Sequence, residues 1–272
     1  MLREQCALAL ETGKEYLVSA RLTPIVHKHG LETISQLIDE LRRAGSNGLQ
    51  MEVVEAMVTT ETSFFRDIYP FETLRKTVLP RLIELRRSER QLNIWCAASS
   101  SGQEPYSIAI LLKEYFPELS SWRVNLSATD ISCEMLQRSR AGRYSQVEVN
   151  RGLTTELLNK WFRQEGAFWQ LDDRIRDAIT YTQMNLAQAW PSMPMWDLVL
   201  VRNVMIYFDN DVKKSILGRV GRVLRKDGYL LLGGAETTFN LDDSFARAEA
   251  LKSGFYQLKP LISDSACGIL TT

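Results

Sequence analysis

Trp95-Cys96-Ala97-Ala98-Ser99-Ser100-Ser101-Gly102-Gln103-Glu104-Pro105-Tyr106-Ser107 is the stretch from which the fold is read. It ends an apolar run that opens at Leu92 and leads into the helical spacing of 106–116, so a strand turns into a helix here. Downstream, short apolar runs at 124–128, 179–182, 197–201 and 229–232 alternate with helical patterns at 131–139 and 212–224. Such alternation predicts an α/β architecture, a parallel sheet with helices on both faces. A late strand at 254–258 is expected to close the sheet as a hairpin with 229–235, joined by a long loop. The mixed stretch 143–177, which holds Trp161, Phe162, Phe168 and Trp169, is too long for a simple connection and reads as a subdomain inserted in the sheet.

Upstream of Leu92 the character is different. Leu31, Ile34, Leu37, Ile38 and Leu41 follow helical spacing, and Val53, Val54, Met57 and Val58 form a second short run. Residues 1–73 therefore read as a small all-α domain. Residues 74–90, with Arg75, Lys76, Arg81, Arg86, Arg87 and Arg90 against Glu84 and Glu89, read as a solvated, mostly helical linker. That leaves 91–272 to the sheet domain.

Composition narrows the function. The 272 residues are 45% hydrophobic and 24% charged, the ordinary globular balance. Thirty-three basic residues against 33 acidic ones exclude the overall basicity of a nucleic-acid binder. The apolar runs fall far short of the ~20 residues of a bilayer-spanning helix. Glu4, Glu11 and Glu15 interrupt any signal-peptide core, so a cytoplasmic location without membrane insertion is expected. Cys6, Cys96, Cys133 and Cys267 form no closely spaced pair and read as buried or free thiols. His27 and His29 are the only histidines, and their spacing puts them on different helix faces. No metal site is expected, and nucleophilic catalysis through a histidine is rejected.

Ligands of open α/β sheets bind at the carboxyl ends of strands, which makes 95–107 the expected site. Its small side chains let a ligand approach the backbone. It is neither the dinucleotide fingerprint nor a phosphate loop, and Glu104 suits a cationic or hydroxyl-bearing ligand. The competing reading is a helix capped by Ser101, with Glu104 completing a capping box. The second strand ends Ser127-Ala128-Thr129-Asp130, where an acid can take both hydroxyls of a ribose; the plainer reading, Asp130 as cap of a helix beginning at Ile131, is compatible with that role. The buried strand at 197–201 runs into polar Arg202 and Asn203, followed by Val204, Met205, Ile206, Tyr207, Phe208 and Asp209. Finally, Thr59-Thr60-Glu61-Thr62-Ser63-Phe64-Phe65-Arg66-Asp67 holds an arginine beside aromatic and apolar residues, in need of an anionic partner. A simple salt bridge to Asp67 or Glu61 is the plainer alternative.

Together these segments resemble the CheR-type chemoreceptor methyltransferases, over nearly the whole chain and in the right order. The resemblance is carried by Thr62-x-Phe64-Phe65-Arg66-Asp67, Gly102-x-Glu104-Pro105-Tyr106-Ser107, Ala128-Thr129-Asp130 and Arg202-Asn203-Val204-Met205-Ile206-Tyr207-Phe208. It implies a helical N-terminal domain and a Rossmann-like S-adenosylmethionine methyltransferase domain carrying an inserted antiparallel β-subdomain. It also implies methyl transfer from S-adenosylmethionine, with S-adenosylhomocysteine as product, to glutamates in the cytoplasmic methylation region of receptors. Thr60, Thr62, Arg66, Ala98, Glu104, Asp130, Asn185, Leu186, Asn203 and Val204 would line the cofactor pocket, with Arg66 and Tyr207 nearest the methyl group. Lys14 and Arg21, seven residues apart on a helix expected over 13–22, would meet the receptor.

Two departures qualify the match. Thr60 stands where the family usually has Asn, and the stretch around Gly166 is shorter than the glycine-rich loop of relatives that dock a receptor's C-terminal pentapeptide. A tail-independent, monomeric enzyme is expected. The alternatives are a methyltransferase for another substrate and a non-catalytic S-adenosylmethionine-binding signalling module, the latter disfavoured by the presence of Arg66, Asp130 and Tyr207.

Overall fold

The computed structural model describes residues 13, 15–43, 47–251 and 254–260. Lys14, Cys6 and Cys267 lie outside the described residues. Three helices, α1 (Glu15–Lys28), α2 (Ile34–Arg43) and α3 (Asn47–Met57), open the chain. They close their own small core with Leu22, Ile25, Val26, Leu37, Leu41, Val53 and Met57. The expected spacing holds at Leu37 and Leu41, whereas Ile38 is exposed. α1 runs beyond the expected 13–22 and carries Pro24 inside it.

A helical rod, α4, follows as Tyr69–Thr73, a π turn Leu74–Val78, and Leu79–Leu85. The expectation of a solvated linker fails here. Leu74, Val78, Leu79 and Leu82 are fully buried in the main core, and Arg86 is buried behind them. The many charges of this segment concealed an apolar stripe at helical spacing.

The sheet contains β1 (Gln91–Ala97), β2 (Arg123–Asp130), β6 (Ile179–Gln183), β7 (Trp196–Val201), β8 (Leu224–Leu232), β9 (Phe245–Arg247) and β10 (Phe255–Leu258). Their order is β6-β2-β1-β7-β8-β10-β9. The first five are parallel, and β10 returns antiparallel against both β8 and β9. The hairpin of β8 with β10 is as expected; β9, inside the connecting loop, was not anticipated. Strand order reverses between β1 and β7, and a crevice opens where it does.

β1 and β7 read as continuous apolar runs because both faces are covered. Alternation then sorts their side chains. Leu92, Ile94, Cys96, Leu198 and Leu200 join one core with α4 and α5 (Gln103–Tyr115). Trp95, Ala97, Val199 and Val201 join the other with the helix Asn210–Val223. Burial pushes the Cys96 thiol up, as suits a thiol that only packs.

The expected insertion is a separate three-stranded antiparallel sheet, β3 (Arg143–Ser145), β5 (Phe168–Leu171) and β4 (Phe162–Glu165), in that order. Glu165 pairs with Phe168, so Gly166 and Ala167 alone form the turn. Gly166 has φ of 61°, the left-handed conformation that a tight hairpin needs. No helix among the described residues is long and apolar enough to cross a membrane.

Candidate active site

The carboxyl ends of β1, β2 and β7 meet the segment before α4 around a cavity, at the edge of the sheet where ligands of open α/β folds bind. Thr60, Thr62, Arg66, Ala98, Glu104, Asp130, Asn185, Leu186, Asn203, Val204 and Tyr207 all line it. Arg21 does not. Its guanidinium donates to the carbonyls of Met57 (2.6 Å) and Val58 (3.4 Å), and to Thr59 Oγ1 (3.4 Å), at the carboxyl end of α3.

After β1 the chain turns through Ala98 and Ser100, both at positive φ, to Gly102 at φ 91°. A Cβ on Gly102 would stand 2.9 Å from Ser139 Oγ and from the Tyr181 hydroxyl, so glycine is required by both conformation and space. Neither capping reading survives. α5 begins after Gly102 without a side-chain cap, because Ser101 Oγ donates to Gln103 Oε1 and Glu104 is held by Arg202. The next helix, α6 (Cys133–Ala141), is capped by Ser132, which frees Asp130 from that task. Asp130 instead accepts from Ser100 N (2.7 Å) and Ser132 N (2.9 Å) at the cavity wall. Burial holds its carboxyl above the ordinary range against those amides.

Arg202, at the end of β7, organises the floor. It donates from Nη1 to Glu104 Oε2 (2.6 Å) and from Nη2 to Asp67 Oδ2 (2.8 Å) and the Arg66 carbonyl (3.0 Å). Burial raises the Glu104 carboxyl, with Arg202 opposing. Asp67 thus pairs with Arg202 and not with Arg66. The Arg66 guanidinium donates to the Glu61 carbonyl (3.2 Å), and no carboxylate among the described residues pairs with it. Its backbone is nonetheless fixed. Phe64 is fully buried edge-on against Tyr144 and Phe162, the Phe65 amide donates to Ser107 Oγ (2.9 Å), and Ser100 Oγ donates to the Thr60 carbonyl (2.6 Å). Phe65, Asp67, Ile68, Ala98, Ser100 and Asn203, six of the eight non-glycine residues at positive φ among the described residues, belong to the segments that meet at this cavity. Strain of that kind collects where surrounding structure holds it for a function.

The lining fits S-adenosylmethionine. Asp130 and Glu104 offer carboxylates to a ribose diol and an ammonium, Arg202 offers a guanidinium donor to the cofactor's carboxylate, and Met184, Leu186 and Val204 offer apolar surface to a purine. Two buried lining atoms, Ser99 Oγ and Arg202 Nε, have no hydrogen-bond partner, a condition a polar ligand would relieve. Ser99, Ser100, Met184, Phe208 and Arg202 were not among the expected lining residues. Arg202 is the polar group read after the buried strand beside Asn203; its place at the same edge of the sheet is as expected, but it was not named for the pocket.

The family description "CheR methyltransferase, SAM binding domain" matches residues 60–253. Chemotaxis protein methyltransferase 1 of Pseudomonas aeruginosa is 37% identical over 263 residues, covering 95% of each chain. Chemotaxis protein methyltransferase Cher2 of Pseudomonas putida is 36% identical over 262 residues, again 95% of each. Chemotaxis protein methyltransferase 1 of Vibrio cholerae is 36% identical over 261 residues, 95% of this chain and 94% of its own. With a Rossmann-like sheet, an inserted antiparallel subdomain, a cofactor cavity at the strand ends and matches of this extent, the chain belongs to the CheR methyltransferase family.

Proposed function

We propose that this chemotaxis protein methyltransferase transfers the methyl group of S-adenosylmethionine to glutamate carboxylates in the cytoplasmic methylation region of chemoreceptors. The observation that carries the reading is the convergence of Arg66, Glu104, Asp130, Asn203 and Tyr207 on one cavity. Bound S-adenosylmethionine supplies an electrophilic methyl on a sulfonium. An acceptor glutamate, with an unperturbed pKa near ~4.3, is already a carboxylate at neutral pH, so the chain needs no general base. Its work is alignment, which can supply up to ~7 to 11 kcal/mol.

In this reading Asp130 holds the ribose, Asn185, Leu186, Asn203 and Val204 the remaining cofactor surface, and Thr60, Thr62, Ala98 and Glu104 the methionine side. Arg66 has no carboxylate partner of its own, and its planar guanidinium is suited to orient the incoming carboxylate beside Tyr207. The receptor is met by Arg21 of α1 and by Lys14, which lies outside the described residues. Arg21, by its bonds to residues 57–59, also ties that surface to the segment lining the cavity. The two-residue hairpin at Gly166 leaves little loop for docking a receptor tail, which supports tail-independent action.

Incubation with methyl-labelled cofactor and a receptor cytoplasmic fragment tests the reading. Alkali-labile label on glutamates, at equal rates with and without the fragment's C-terminal pentapeptide, is expected. Label on another residue type would refute the substrate assignment, and dependence on the tail would refute tail independence.

A further inference from the structure

β8 ends in Gly233-Gly234-Ala235-Glu236, a segment that lies outside the cavity and that no sequence motif singled out. Glu236 is 8% exposed. Its Oε2 accepts from the amides of Asn203 (2.8 Å) and Gly233 (2.7 Å), and its Oε1 from those of Val204 (2.9 Å) and Met205 (2.7 Å). One carboxylate therefore gathers four backbone donors, three of them consecutive. Asn203 is among them, at φ 58°. The turn Met205–Tyr207 begins at the third.

We propose that Glu236 is a positioning residue for methyl transfer: it fixes the backbone of Asn203 and Val204 at the cofactor wall and sets where Tyr207 stands. The inference rests on the cofactor and Tyr207 roles given above. Chemistry restricts the residue that can do this. An ionised carboxylate presents about four lone-pair sites and no donor, whereas a glutamine has one acceptor oxygen and would turn an NH₂ toward two of the four amides. Gly233 belongs to the same device. A Cβ there would lie 2.7 Å from Glu236 Oε2 and 2.9 Å from the Asn203 amide nitrogen.

The test compares Glu236→Gln and Gly233→Ala, which disturb the same contact from opposite sides, with Tyr207→Phe and the Glu236→Gln/Tyr207→Phe double variant. Calorimetric affinity for S-adenosylhomocysteine reports the Asn203 and Val204 wall; single-turnover methylation of a receptor fragment reports Tyr207. Both Glu236→Gln and Gly233→Ala are expected to weaken product binding and to slow transfer by ~10²-fold, the scale of a misplaced reacting group. The double variant should be no slower than the worse single one. Gly233→Ala carries the test if Glu236→Gln does not fold. Wild-type affinity and turnover in folded Glu236→Gln or Gly233→Ala, with only thermal stability lost, would overturn the proposal, as would rate losses that multiply in the double variant. Unchanged turnover in Tyr207→Phe, beside weakened product binding in the other two, would sink the Tyr207 role while upholding Glu236 as the holder of the cofactor wall.

Discussion

Arg86 and Arg202 are both buried arginines held by two carboxylates, and they stand at opposite ends of β7. At the amino end, Arg86 donates from Nε to Asp197 (2.5 Å), from Nη1 to Asp227 (2.9 Å) and from Nη2 to Asp227 again. The second Asp197 oxygen accepts from the Asn93 amide (2.7 Å). Every guanidinium nitrogen has a partner, and Arg86 holds the Asp227 carboxyl below the ordinary range. At the carboxyl end, Arg202 keeps a buried Nε without a partner, and Glu104 faces the cavity with its carboxyl raised by burial. The Arg86 guanidinium is closed, with the neighbouring Arg225 Nε resting 3.4 Å from Asp197 without a hydrogen bond, whereas the Arg202 cluster is left open to a cavity. A closed cluster contributes to the fold, whereas desolvated, incompletely partnered groups at strand ends are what a ligand uses.

Removing Arg86 tests that division of roles most sharply. Arg86→Met leaves the fully buried Asp197 with only the Asn93 backbone amide and Arg225 Nε at 3.4 Å, so unfolding free energy measured with denaturant should fall by about 3 kcal/mol, the lower end of the range for breaking a buried pair. Turnover per folded molecule should stay close to wild type. A comparable loss of turnover at normal stability would show that the far end takes part in catalysis.

Asp130→Ala acts only on the open end. It should weaken S-adenosylhomocysteine binding by ~1.5 to 3 kcal/mol, the range for a charged hydrogen-bonding group, and lower stability by about 1–3 kcal/mol by leaving the Ser100 and Ser132 amides without their acceptor. Unchanged calorimetric affinity would place the ribose elsewhere.

Acid should distinguish the ends with a subtler effect. As pH falls, Glu104 and Asp130 lose their charge above the ordinary carboxylate range, because burial has raised them. Binding that needs their ionised forms should then weaken as pH drops toward that range and release protons there. Asp227, lowered by Arg86, contributes stability that is full above the ordinary carboxylate pKa and is lost only as pH falls through its lower folded value. Product affinity measured against pH should therefore decline before the stability contribution of Asp227 does; the reverse order would contradict the assigned shifts.

How much of this was legible depended on sequence separation. The apolar runs of β1, β2, β6 and β7 fall where expected, and the cavity gathers every residue expected to bind the cofactor, since short motifs at strand ends are local features. The 74–90 segment was misread because exposed charges outnumber the apolar stripe that seats it. Ser101 and Glu104 match a capping box locally, yet the left-handed Gly102 and an ion pair 98 residues away prevail. Glu236 was missed because its partners at 203–205 are brought to it by the pairing of β7 with β8. The pattern of an acid just past a strand, already noticed at Asp130, was the one signal that pointed to it.

The most direct test of the open end as a methyl-transfer site is single-turnover transfer from prebound, methyl-labelled S-adenosylmethionine to a receptor cytoplasmic fragment by Arg66→Ala, read beside its calorimetric affinity for S-adenosylhomocysteine. Methyl transfer at this site predicts a rate lower by ~10²-fold or more, the scale of losing one positioned donor, with affinity reduced only a few-fold. A near-normal rate would contradict it, and so would an affinity loss as large as the loss in rate.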